Sequence, residues 1–147
     1  MLLLLSRSAP LLTLAAVLRQ PPTGSALRPA VRGLVASAPR GLPEHLETMV
    51  EELASGEAQL FDVREPQEAM MGKLKDSILV PLSELQGGLP PPIMQGAAPD
   101  KLTYVHCAAG IRVHPAASIL QALGYERVVP LQEGFATLAN MGFELEG

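Results

Sequence analysis

The chain contains one cysteine, Cys107, which ends the β-type run Leu102-Thr103-Tyr104-Val105-His106 and opens the segment Ala108-Ala109-Gly110-Ile111-Arg112. A helical pattern begins directly afterwards. A thiol between a strand and a helix N-terminus meets unsatisfied backbone N–H groups and the positive end of the helix dipole, both of which favour a thiolate or a bound anion. The thiolate is the nucleophilic form of cysteine. Ala108, Ala109 and Gly110 carry no bulk that would keep an anion from the backbone, and glycine adopts φ > 0 where a turn needs it. Arg112 adds a fixed positive charge at the far end. Most lone cysteines are small buried hydrophobes, but an inert core cysteine has no use for a glycine-containing cradle closed by an arginine. Cys107 is therefore the candidate nucleophile and Ala108 to Arg112 the candidate anion-binding loop.

The elements that must position this loop read as alternating helices and strands. Leu46, Met49, Val50 and Leu53 fall at i, i+3, i+4 and i+7 among glutamates, which predicts an amphipathic helix stopped at Ser55-Gly56. Leu60 to Val63 is a short apolar strand. Pro66 suits the first turn of a helix over Gln67 to Met71, closed by Gly72. Ser77 to Val80 is a second strand, stopped by Pro81, and a short helix covers Leu82 to Leu85. After the strand that carries Cys107 come a helix from Pro115 to Leu123, a strand from Arg127 to Leu131 and a helix from Phe135 to Asn140. This alternation predicts an α/β fold with a mostly parallel central sheet and helices on both faces. Sites in such sheets form at the carboxyl ends of the strands, so Asp62-Val63-Arg64-Glu65 and Cys107 to Arg112 should meet at one edge. Asp62 and Arg64 are expected to form an ion pair that braces the cysteine loop. His106 reads as a strand residue pointing into the sheet, His114 as a surface residue, and Tyr104 and Phe135 as core or pocket wall.

Several of these segments together resemble a rhodanese domain. They are Asp62 to Glu65 after an apolar strand, Gly72 to Pro81 in the pattern Gly-x-Leu-x-x-Ser-x-x-Val-Pro, the six-residue loop Cys107 to Arg112, and Leu123-Gly124-Tyr125, Val128-Val129 and Glu133-Gly134-Phe135. The similarity runs from residue 44 to residue 147. It implies a three-layer rhodanese-like fold and a sulfurtransferase that carries sulfane sulfur as a Cys107 persulfide. The donor would be a thiosulfate- or persulfide-type compound and the acceptor a thiol or cyanide, or a sulfur-accepting protein, with no cofactor. A non-enzymatic rhodanese-fold module for binding or sulfur delivery is the alternative. Cysteine phosphatases and arsenate reductases are weaker rivals, because phosphatases place five residues between cysteine and arginine and this loop has four. Three positions depart from the family's habit: Ala108 stands where thiosulfate-using members often carry arginine, Lys73 where histidine is common, and Leu138 where many have tryptophan.

Charge divides the chain. Residues 1 to 43 hold Arg7, Arg19, Arg28, Arg32 and Arg40 and no acid, which leaves all 15 acids against 6 bases in the remainder, +5 against −9. A domain this acidic is repelled by a phosphate backbone, so no nucleic-acid partner is expected. A leucine-, alanine-, serine- and arginine-rich start without acids has the composition of a cleavable organellar targeting segment. Mitochondrion is the first expectation, with a plastid address or a secretory signal as alternatives. Arg7 and Pro10 interrupt the apolar start, so no membrane span is expected. One cysteine excludes an internal disulfide and suggests a reducing compartment. No cysteine or histidine group has metal-ligand spacing, and a domain of this size with one site is expected to be a monomer.

Overall fold

Helix α1 (Glu44–Ser55) forms where the apolar period predicts it, burying Leu46 and Met49 and starting with Glu44 and Glu47 at the positive end of its dipole. It stops because Gly56 takes a left-handed conformation, φ 78°, and donates its N–H to the carbonyls of Glu52 and Leu53. In this computed structural model the described residues are 41–88 and 97–146. Nearly all of the segment whose composition suggests a targeting address, and most of the proline-rich stretch from Leu89 to Pro99, lie outside them.

After α1 come β1 (Ala58–Asp62), α2 (Pro66–Ala69), β2 (Lys73–Leu74), β3 (Ile78–Leu79) and α3 (Leu82–Gln86). They are followed by β4 (Leu102–His106), α4 (Val113–Ala122), β5 (Val128–Pro130), α5 (Phe135–Asn140) and β6 (Leu145–Glu146). Four strands form a parallel sheet in the order β3-β1-β4-β5. The helix over Val113 to Ala122 begins two residues earlier than its sequence pattern suggests. β2 and β6 pair antiparallel as a separate two-stranded ribbon that the sequence pattern does not anticipate.

Alternation along the central strands divides the core between two faces. Phe61 of β1 and Val105 of β4 pack with Val113 and Leu120 of α4 and Leu85 of α3. Their neighbours Leu60 and Tyr104 point the other way, against Leu46 and Met49 of α1 and Leu138 of α5. The result is the three-layer α/β arrangement read from the sequence. Both faces of the sheet are covered, so β1 and β4 are almost wholly buried.

Candidate active site

The register of β1 and β4 positions the site. Asp62 lies opposite His106, so the residues leaving both strands emerge side by side at the carboxyl edge, and the Val63 N–H donates to the His106 carbonyl at 3.0 Å. Cys107, 1% exposed, sits at the end of β4. Its Sγ accepts the Gly110 N–H at 3.1 Å, so the loop turns back on the sulfur and offers it a backbone donor. Gly110 has φ 74°, the left-handed region, and an added Cβ would lie 2.3 Å from the Gln132 carbonyl oxygen. Only glycine satisfies both demands.

The segment after β5 clamps the loop from outside. Phe135 donates its N–H to the Cys107 carbonyl at 2.8 Å. A Cβ on Gly134 would stand 2.0 Å from the Ala108 carbonyl oxygen, so the two backbones meet at a distance that excludes any side chain. Glu133 is bonded to His45 of α1 at 2.9 Å, which ties the clamp to the first helix.

Asp62 and Arg64 form the expected ion pair. The Asp62 carboxylate accepts from Arg64 Nη2 at 2.7 Å, from Nε at 3.0 Å and from the Arg64 backbone N–H at 3.0 Å, and both side chains are buried. The guanidinium also donates to the Gly72 carbonyl at 2.9 Å and lies 3.9 Å over the Phe135 ring. It therefore joins the end of β1 to the turn after α2 and, through Phe135, to the residue bonded to the Cys107 carbonyl. His106 is wholly buried, with its Nε2 3.8 Å from Asp62 Oδ2 and neither ring nitrogen hydrogen-bonded. Burial drives its pKa down to about 4, with Asp62 opposing only in part. It is neutral at pH 7 and sits in the sheet as the sequence suggests.

Arg112 does not stand free at the end of the loop. Its Nη1 and Nη2 each donate to Glu68 at 2.6 Å, a paired fork geometry. That bond lowers the Glu68 pKa to about 2 and raises that of Arg112. Glu68 also accepts the Glu65 N–H at 2.9 Å as half of a reciprocal cap on α2. Sequence reasoning missed Glu68, since a glutamate in a short helix reads as a solvated face and its partner is 44 positions away. The cap spacing from Glu65 to Glu68 was the available signal. Ala108, Ala109 and Ile111 are exposed, whereas Gly110 is half-buried. Lys73 is held by Glu146 and the Ser77 carbonyl, and Leu138 is fully buried. His114 is exposed, as read from the sequence. Among the described residues no group of histidine, cysteine and carboxylate side chains could hold a metal ion.

A parallel α/β sheet with a cysteine-headed cradle at its carboxyl edge defines the class of protein. The chain belongs to the rhodanese-like domain family, whose pattern matches residues 45–140. It is 38% identical over 82 residues to human thiosulfate:glutathione sulfurtransferase, covering 50% of this chain and 71% of that one. It is 37% identical over 78 residues to the Arabidopsis thaliana rhodanese-like/PpiC domain-containing protein 12, chloroplastic, covering 53% of this chain but only 26% of that protein. Among solved structures, human single-domain sulfurtransferase TSTD1 superposes with a TM-score of 0.56 at 26% identity, over 65% of this chain and 92% of that one. Saccharomyces cerevisiae single-domain sulfurtransferase RDL2 gives 0.51 at 26% identity, over 58% and 76%.

Proposed function

We propose that the chain is a rhodanese-type sulfurtransferase in which Cys107 carries sulfane sulfur as a persulfide. The observation that carries this reading is the Cys107 Sγ held against the Gly110 N–H at 3.1 Å inside a six-residue loop at the carboxyl edge of β4. The sulfurtransferase relatives support it. In the first half-reaction the Cys107 thiolate attacks the outer sulfur of the donor, the donor's S–X bond breaks and the leaving group departs with the electron pair. In the second, an acceptor thiolate or cyanide attacks the outer sulfur of the persulfide and Cys107 leaves as thiolate. The Gly110 N–H and its loop neighbours stabilise charge on the bound sulfur, and Asp62 with Arg64 braces the loop. With one cysteine in the chain, the persulfide cannot resolve as an internal disulfide, so its sulfur leaves to another molecule.

The test is intact-mass analysis of the full chain after separate incubation with thiosulfate and with glutathione persulfide. A gain of one sulfur atom that disappears on adding cyanide or a thiol is expected, and Cys107→Ser should abolish it. No gain with either donor would favour the non-enzymatic binding module. The acid-free composition of residues 1 to 43 supports an organellar address, with mitochondrion as the first proposal. Microscopy of a fluorescent protein carrying residues 1 to 43 tests this, and a diffuse cytosolic signal would refute it.

A further inference from the structure

We infer that this site loads its sulfur from an organic persulfide in preference to thiosulfate, because Glu68 neutralises the loop arginine. The inference rests on the sulfurtransferase reading above and names its donor. Thiosulfate brings two negative charges close to the transferred sulfur, so a site that selects it needs an uncompensated cation beside the thiolate. Neither guanidinium at this edge meets that need. Arg112 is engaged by both Glu68 oxygens at 2.6 Å. Arg64, 3% exposed, is bonded to Asp62 and the Gly72 carbonyl and covered by the Phe135 ring.

Glu65 belongs to the same network through its reciprocal bonds with Glu68. Asp62, Glu65 and Glu68 face Arg64 and Arg112, so the linked charges at the edge carry one net negative charge. Apart from Arg112 the loop adds no cation, since residues 108 to 111 are Ala, Ala, Gly and Ile, and Ile111 is 75% exposed. The site therefore offers backbone dipoles and an apolar side chain, which suit a donor R–S–SH with a carbon-built R group. The Cys107 thiolate attacks the outer sulfur of this donor, the S–S bond breaks, R–S⁻ departs and Cys107–S–SH remains. Charge and atoms balance without an oxidant.

The experiment measures single-turnover loading of the full chain by intact mass against donor concentration, with thiosulfate and with glutathione persulfide at pH 8. The wild-type chain should reach half-saturation with the persulfide at a concentration at least tenfold lower than with thiosulfate. Glu68→Gln keeps an oxygen for the α2 cap and frees Arg112, while Ile111→Lys adds a cation to the loop. Each should shift the ratio of the two half-saturating concentrations toward thiosulfate by tenfold or more. Equal or tighter saturation by thiosulfate in the wild-type chain, or an unchanged ratio in both variants, overturns the inference. Loading by neither donor overturns the sulfurtransferase reading and this inference with it.

Discussion

At the scale of single residues the site depends on groups that have exchanged water for one fixed set of partners. Asp62 is fully buried and its carboxylate accepts hydrogen bonds from three donors of Arg64, the backbone N–H, Nε and Nη2. Removing one member of a buried pair leaves the other charge without compensation, which costs about 3–5 kcal/mol. Asp62→Asn should therefore lower unfolding stability by that amount in urea titration, with persulfide loading falling as the turn after β1 loosens. A loss below about 1 kcal/mol would mean that Arg64 finds other acceptors and that the pair braces nothing. The sequence made Cys107, its loop and the Asp62–Arg64 pair legible because each is local, with partners two or three positions apart. Glu68 was not legible, since its role exists only once the β1–β4 register brings α2 beside the loop. The hydrogen-bond poverty of His106 was equally hidden, because a histidine in a strand is no different in sequence whether its ring meets donors or apolar walls.

At the scale of elements, one turn matters more than the strand and helix it joins. The β5–α5 turn packs its backbone on the Ala108 carbonyl at Gly134, where a Cβ would lie 2.0 Å from that oxygen. Gly134→Ala must push the two segments apart and so displace the Phe135 N–H from the Cys107 carbonyl. Loading by either donor should fall at least tenfold while the far-ultraviolet circular dichroism stays native. An unchanged rate would show that the cradle does not depend on this close approach. Helix α1 and strand β4 follow the sequence pattern closely, because the first has a full apolar period and the second a β-type run. The β2–β6 ribbon does not, because two-residue strands have no period to read. It is fixed by pairing and by the ions Lys75 and Glu144 at 2.5 Å.

At the scale of the whole molecule, acid stability follows from groups that resist protonation in the fold. The His106 pKa falls from 6.5 in the unfolded chain to about 4, so the unfolded state binds a proton that the native state refuses. Stability from this group is complete above pH 6.5 and is lost as pH falls from 6.5 to 4, by on the order of 3 kcal/mol. Glu68, held by Arg112 at about 2 instead of 4.5, contributes stability that is present above pH 4.5 and lost as pH falls through 2. Calorimetric melting temperatures should therefore begin to fall near pH 6.5, earlier than carboxylates alone would dictate. His106→Phe should flatten the portion between 6.5 and 4, and an unchanged curve would remove His106 from the account. The parallel sheet has a further consequence. It ends in β3, two residues long, and in β5, three residues long and closed by Pro130, which has no N–H to give. A foreign strand seeking to extend the four-stranded sheet edge to edge finds only two or three residues to pair with at either end.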